Sequence, residues 1–226
     1  FKIIDQYLST DSFEDCKLTH KLILWLRRRG FNNPGYAQYL SEYTNSSYSM
    51  YLTLDWNRFR DKETLDFEDH REYAELKESE IRTAYVFNSL AEFEDFYERY
   101  LSIIDKFEPD LAYNHKSINF VLDENFKQNF RLGLEMLEYI VKNKNELNFH
   151  PLLIFENHLN SSEKTDQIWE IISHGEYSKQ HLWKLNFFGL INEEIITTTH
   201  LKNLLQSIED IRTNVNLWLV GFEKFL

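Results

Sequence analysis

The sequence contains few of the residues that break regular structure. Glycine occurs six times and proline three times among 226 residues, whereas phenylalanine occurs 18 times and tyrosine 13 times. A β-sandwich needs a turn roughly every 8–12 residues, so this scarcity argues against one. The aromatic content of 16% argues against a disordered tail. The composition therefore favours a folded chain rich in helices.

The glycines also lack the spacing of nucleotide-binding loops. None of them forms G-x-G-x-x-G or G-x-x-x-x-G-K-[ST], and none flanks a serine as in G-x-S-x-G. The zinc motif H-E-x-x-H is missing, and no histidine follows a glutamate by three positions as in di-iron bundles. The sequence therefore predicts no catalytic residue, no metal site and no cofactor.

Cysteine and long apolar runs are scarce as well. Cys16 is the only cysteine, so the chain cannot form an internal disulfide. The longest well-defined apolar run, residues 22–26, is far shorter than the ~20 residues that span a bilayer. These features predict a chain with no membrane segment, in a reducing cytoplasmic compartment. Cys16 and His20 could pair as an activated thiolate, but a buried core cysteine is the favoured interpretation.

Positive charge is outweighed by negative charge. The formal net charge is −12, and residues 61–80 hold nine acidic against three basic side chains. Such a surface repels phosphate backbones, which argues against nucleic acid as a partner. The one compact basic run, Arg27 to Arg29, is interpreted as the cationic last turn of a helix that Gly30 ends.

Apolar periodicity predicts a series of amphipathic helices. Ser89 and Glu92 have the spacing of a capping box at the start of one of them, and Pro151 suits the first turn of another. The predicted helices cover residues 19–29, 34–43, 69–87, 89–104, 123–143 and about 152–159. Residues 51–56 could form a short strand or an irregular loop, and residues 55–68 are expected to be a flexible joint.

Two stretches near the C-terminal end resemble each other at an offset of 19 residues. Residues 178–185 and 197–204 each place a hydroxyl residue, Ser178 or Thr197, three positions before a histidine, as at a helix N-cap. The fold class predicted is all-α, an array of antiparallel helix pairs that could form an α-solenoid, with an irregular or short-strand insertion near residues 46–60. We expect residues 1–60 to form an N-terminal helical segment and residues 61–226 a repeat-like region.

The stretch ISHGEYSKQHLW, residues 172–183, sets two histidines and a glutamate around a glycine. We interpret it as a connection in which Gly175 ends one helix and Ser178 caps the next. The alternative is an enzyme or metal-binding domain whose site combines His174, Glu176 and His181 with the carboxylates of residues 61–80. Zinc needs three or four converging ligands, and no further ligand lies close in sequence.

The segment DWNRFR, residues 55–60, is the predicted contact surface for a partner. Trp and Arg are enriched among interface residues that dominate binding energy. The predicted contacts are Asp55, Trp56, Arg58 and Arg60. The alternative is that Trp56 holds a loop against the core.

The segment WKLNFFGLINEEIITTTHLKNLL, residues 183–205, resembles the C-terminal helical-repeat regions of large bacterial STAND-type P-loop NTPases, some of which sense phage proteins. The resemblance covers residues 165–210 and consists of a Trp, a pair of Phe and His-Leu-x-x-Leu spacing. It implies a role in ligand sensing or partner binding, with any NTPase motif elsewhere in a longer protein. Because the sequence begins with Phe1, we expect it to be a piece of such a protein.

The function predicted is a non-enzymatic helical segment that binds a protein partner. The competing hypothesis is the enzyme or metal-binding domain described above. The sequence leaves the oligomeric state open.

Overall fold

The computed structural model describes residues 2–54, 67–104, 115–142, 151–173 and 180–212. Helices dominate these ranges, and none of them contains a strand, which confirms the all-α prediction. The helices are α1 (Lys2–Tyr7), α2 (Phe13–Arg28), α3 (Tyr36–Glu42), α4 (Ser46–Leu54), α5 (Phe67–Ala84), α6 (Leu90–Ile104), α7 (His115–Gln128), α8 (Phe130–Lys142), α9 (Leu152–His158), α10 (Ser162–Ser173), α11 (Gln180–Leu190) and α12 (Thr198–Arg212), with a short 3-10 helix at Glu193–Ile195.

The first of two compact units comprises Phe1–Arg71 and Glu98–Glu108. Within it, α2 packs against α3 and α4. The ring of Phe13 meets the rings of Tyr48 and Tyr51 edge-on, with centroids 5.5 Å apart in each case. All three rings are buried, so α2 and α4 are joined by an aromatic core.

The second unit comprises Glu72–Tyr97 and Pro109–Leu226. Here α7 contacts α8 and α9, α9 contacts α11, α8 contacts α10, and α11 contacts α10 and α12. One row of the unit therefore contains α7, α9 and α11, and a second row contains α8 and α10. This is the contact pattern of stacked helix pairs. The predicted division after residue 60 falls among residues that the structure does not describe, and it stays a prediction.

Several helix ends are those expected from the sequence. Gly30 has a positive φ of 79°, its N–H donates to Arg27 O at 2.9 Å, and Phe31 N donates to Leu26 O at 3.1 Å. These are the two hydrogen bonds of a Schellman motif, so Gly30 ends α2 as predicted. Ser89 Oγ accepts from Glu92 N at 3.4 Å.

The short strand and the irregular loop considered for residues 51–56, and the insertion expected near residues 46–60, are wrong over residues 46–54, because these residues form α4. Asn45 starts that helix: its Oδ1 accepts from Tyr48 N at 2.9 Å. Tyr48 and Tyr51, three positions apart, then share a buried face against α2. Their β-propensity is overridden because helical spacing brings both rings to Phe13.

The single helix predicted over residues 123–143 is also wrong, because Asn129 separates α7 from α8. The side-chain Oδ1 of Asn129 accepts from Leu132 N at 3.2 Å, which caps α8. Four residues later, Gly133 lies so close to α7 that an added Cβ would stand 2.6 Å from the ring of Phe126 and 2.9 Å from its Cα. The absent side chain at Gly133 therefore permits a close approach of the two helices.

Candidate functional site

The residues predicted to contact a partner lie outside the described ranges. Asp55, Trp56, Arg58 and Arg60 all belong to residues 55–66, of which the structure describes nothing. Their role therefore stays a prediction.

The stretch ISHGEYSKQHLW connects two helices, since α10 ends at Ser173 and α11 begins at Gln180. His174, Glu176 and the two predicted capping residues fall in residues 174–179, outside the description. His181 belongs to α11, but its side chain is outside the description as well. The capping roles of Gly175 and Ser178 and the alternative metal site therefore both stay predictions.

The Cys16 and His20 pair lies in the core of the first unit. Cys16 is fully buried, and its Sγ donates to Thr10 O at 3.4 Å. The Nε2 of His20 is 3.0 Å from Leu40 O and 3.1 Å from Thr44 Oγ1. Burial lowers the pKa of His20, against the opposing effect of backbone hydrogen bonds. Each side chain thus has its own structural partner, and a buried thiol offers no access to a substrate.

The most elaborate polar cluster surrounds Asp123 on α7 in the second unit. Its Oδ1 accepts from Asn157 Nδ2 at 2.9 Å and from His158 Nε2 at 3.0 Å, both near the end of α9. Its Oδ2 accepts from Lys127 Nζ at 2.8 Å and from Arg82 on α5. The cluster therefore ties three helices to one carboxylate.

The electrostatic balance at Asp123 keeps the carboxylate ionised. Burial alone would raise its pKa, because the charged form loses hydration. The hydrogen bonds from His158, Lys127, Arg82 and Asn157 outweigh that effect, and the pKa of Asp123 lies well below its ordinary value. Four donors occupy both carboxylate oxygens of a side chain with no exposed surface. This arrangement suits a structural ion cluster better than an acid or base that must meet a substrate.

A neighbouring residue extends the cluster along the backbone. Asn125 Oδ1 accepts from Phe87 N at 2.9 Å, and its Nδ2 donates to Tyr85 O and to Val121 O at 2.8 Å each. The loop between α5 and α6 is thereby held to α7. Sequence periodicity gave no signal for this contact, because the partners are about 40 residues apart.

The histidine of the second repeated stretch has a capping role. Thr197 Oγ1 accepts from His200 N at 3.2 Å, and His200 Nδ1 accepts from Thr197 N at 3.2 Å. This reciprocal pair is a capping box in which histidine replaces the usual glutamate, so the N-cap predicted at Thr197 is confirmed. The ring proton is then on Nε2, which donates to Asp166 Oδ1 on α10 at 3.0 Å.

An apolar stripe of three exposed side chains lies on α2. Leu18, Leu22 and Trp25 follow one another at i, i+4 and i+7, and their side chains are 53%, 37% and 51% exposed. The opposite side of the same helix is the buried one, where Cys16 and Ile23 lie. An α-helix that is apolar on two opposite sides is typical of an element with neighbours on both. We call Leu18, Leu22 and Trp25 the outer face of α2.

The surroundings of the outer face are basic towards the C-terminal end of α2, whereas Glu14 and Asp15 precede Leu18 in its first turn. The guanidinium of Arg29 lies over the Trp25 ring, 5.5 Å from its centroid, in a cation–π contact. Exposed Lys21 and Arg28 lie beside the stripe, and Phe31, just past the helix, is 60% exposed. Sequence reasoning missed this face because it considered residues 22–26 only as a core-sized run. Their burial differs: Ile23 is buried, whereas Leu22 and Trp25 are exposed.

In the part of the chain that the structure describes, no three His, Cys, Asp or Glu side chains are grouped so that they could hold a metal ion. In the same part, no helix has the length and apolar character needed to cross a membrane.

Comparison of the sequence and the fold with known protein families, with curated proteins and with solved structures gives no significant match.

Proposed function

We propose that the chain is a helical, non-enzymatic module that binds another protein through the outer face of α2. The observation that carries the proposal is the apolar stripe itself, three large side chains at i, i+4 and i+7 on the side of α2 that its own core leaves exposed. Full burial of a large apolar side chain contributes roughly 1.5–3 kcal/mol of favourable free energy. A partner helix that covers the stripe would gain part of that free energy.

The composition of the outer face supports protein binding. Trp and Arg are the residue types most enriched where alanine substitution weakens interfaces. In the Trp25 and Arg29 pair, the cation–π contact holds both side chains over the same surface. A side chain that is ordered before binding loses less conformational freedom when the partner arrives.

The polar clusters favour an interaction role over the enzymatic alternative. His20, His158 and His200, three of the eight histidines, are buried and hydrogen-bonded within the fold. Asp123 is saturated by four donors. These four candidates for acid, base or metal chemistry thus have structural partners.

The resemblance of residues 183–205 to STAND-type sensor regions is compatible with this proposal. A sensor region binds a protein ligand and leaves nucleotide hydrolysis to another part of its chain. On that hypothesis the module belongs to a longer protein and meets its ligand in the cytoplasm, which the single cysteine supports.

Photo-crosslinking from the outer face tests the proposal. A benzoylphenylalanine placed at Leu22, in cells that naturally produce the protein, should yield an adduct of defined mass with a second protein. The matched control is the same probe at Leu76, the one large apolar side chain that is strongly exposed, at 56%, among the described residues of α5. The adduct from position 22 should disappear in a Trp25→Glu background.

Two results would contradict the proposal. One is the absence of any adduct from position 22, and the other is the same set of adducts from positions 22 and 76. The first would mean that nothing covers the stripe, and the second would mean that contact is unspecific.

A further inference from the structure

The outer face of α2 lies in the longest part of the chain that has no acidic side chain. Between Asp15 and Glu42 the sequence carries Lys17, Lys21 and the three arginines 27–29, with no Asp or Glu. The protein as a whole has a formal charge of −12. A positive local potential on an acidic protein attracts negative groups to that place and repels them elsewhere.

The apolar positions on α2 define the shape of what can cover them. Leu18, Leu22 and Trp25 form a row along the helix axis, and a second helix can lay its own i, i+3, i+4 and i+7 side chains along such a row. Lys21 and Arg28 lie along one side of this row and Arg29 lies at its C-terminal end, whereas Glu14 lies at its N-terminal end. The partner's acidic residues would therefore have to flank its apolar stripe on the matching side. Trp25 with Arg29 over its ring supplies a broad apolar contact edged by a positive charge.

We propose that the outer face of α2 binds an acidic amphipathic helix, a segment whose apolar stripe covers Leu18, Leu22 and Trp25 and whose flanking Asp or Glu side chains face Lys21, Arg28 and Arg29. This inference rests on the proposed function and adds the chemical class of the partner.

A second copy of the chain fits this face poorly. The acidic helix α5 presents one strongly exposed apolar side chain, Leu76, among its described residues. A single leucine cannot match a row of three. Helix α12 presents two exposed leucines, Leu201 and Leu205, but residues 198–208 contain no acidic side chain to face the basic residues of α2. Nucleic acid would have to approach five positive side chains on a protein of charge −12, and its stacked bases offer no counterpart to two leucines.

The test uses a displayed library of helical peptides and the 226-residue chain. Apolar residues are fixed at i, i+3, i+4 and i+7, and the flanking positions are randomised among Asp, Glu, Asn, Gln, Lys and Arg. Selection on the wild-type chain should enrich Asp and Glu at the flanks and deplete Lys and Arg. Selection on a Trp25→Glu chain, whose fold is checked by circular dichroism, should lose these peptides.

Affinity measurements on the best peptide sharpen the result. Replacing its acidic residues by Asn and Gln should weaken binding about tenfold, as expected for a few screened surface ion pairs. Raising the salt concentration from about 50 mM to about 500 mM should weaken the acidic peptide and leave the Asn and Gln version nearly unchanged. A Lys21→Ala, Arg28→Ala double variant should lose part of the same preference.

The inference is overturned if the flanks show no acidic enrichment, if the library gives no peptide that depends on Trp25, or if the chain instead dimerises or binds anionic vesicles through Trp25. The adduct from position 22 tests the proposed function independently of the peptide library. An adduct with a protein segment that lacks acidic flanking residues would support the docking site on α2 and would contradict only the acidic character of the partner.

Discussion

The Asp123 cluster and the outer face of α2 are opposite departures from the rule that polar groups face water and apolar groups do not. At Asp123 a charged group is buried, and four donors on three helices compensate for its lost hydration. On α2 three apolar side chains are exposed, and no described element covers them. The buried charge at Asp123 is compensated by partners within the fold, so we assign it a role in stability. The exposed apolar row on α2 has no such compensation among the described residues, so we propose that it binds a partner.

Removing the buried carboxylate gives the largest expected loss of stability. Asp123→Ala leaves His158, Lys127 and Arg82 without their shared acceptor, so the free energy of unfolding should fall by about 3–5 kcal/mol. Urea unfolding followed by circular dichroism measures it. Asp166→Ala is the matched control: its carboxylate also accepts from a buried histidine but is 63% exposed. A loss of similar size in both variants would mean that burial of the acceptor is unimportant.

Acidification should remove the same contribution gradually. The pKa of Asp123 in the folded protein is depressed below its ordinary value of 3.8. Its stabilising effect is therefore fully present above that value and is lost as the pH falls through the folded pKa. The difference in unfolding free energy between wild type and Asp123→Asn should shrink steadily below about pH 4. A difference that stays constant, or that grows in acid, would refute the depressed pKa.

The contact of α8 with α7 should tolerate no added methyl group. In Gly133→Ala the new Cβ would meet both the ring and the backbone of Phe126, so we expect a loss of about 1–3 kcal/mol in unfolding free energy. Gly189→Ala on α11 is the control, since a Cβ there meets nothing within 4 Å. That substitution should be neutral or stabilising by up to about 1 kcal/mol. Thermal unfolding of both variants measures the two changes in stability. Equal changes would contradict a close contact between Gly133 and Phe126.

Local signals in the sequence predicted most of the helices and several of their ends. Gly30 and Thr197 act through residues at most four positions away, so short-range capping rules suffice for them. The break at Asn129 was missed because the apolar pattern continues through it, and an asparagine cap inside such a pattern has no distinct signature. Apolar periodicity indicates which side of a helix is buried, but it does not indicate where one helix ends and the next begins.

The Asp123 cluster and the outer face of α2 could not be predicted because both depend on contacts between residues far apart in the sequence. Asp123 meets Arg82 and His158 across 41 and 35 residues of sequence, and nothing local shows that three helix faces converge there. On α2, residues 22–26 are apolar all round the helix, so their sequence does not show which side of α2 faces the core. Only the packing of α3 and α4 against the side with Ile23 shows which side is left uncovered.

Substitution of the outer face should have the smallest effect on stability. Leu22→Gln changes a side chain that is 37% exposed, so the free energy of unfolding should shift by about 1 kcal/mol or less. Ile23→Ala, one residue along and fully buried, should cost about 2–5 kcal/mol. Chemical denaturation of the two variants measures both. Equal costs would show that Leu22 is part of the core, which would remove the argument for a docking surface.

The docking site on α2 can be tested by carbene footprinting of the chain alone and with its captured protein partner. We predict that labelling of Leu18, Leu22 and Trp25 falls on binding, whereas labelling of Leu76 and of Leu205, exposed at 59% on α12, does not change. If the outer face of α2 is labelled to the same extent with and without the partner, the partner binds elsewhere and α2 is not the docking site.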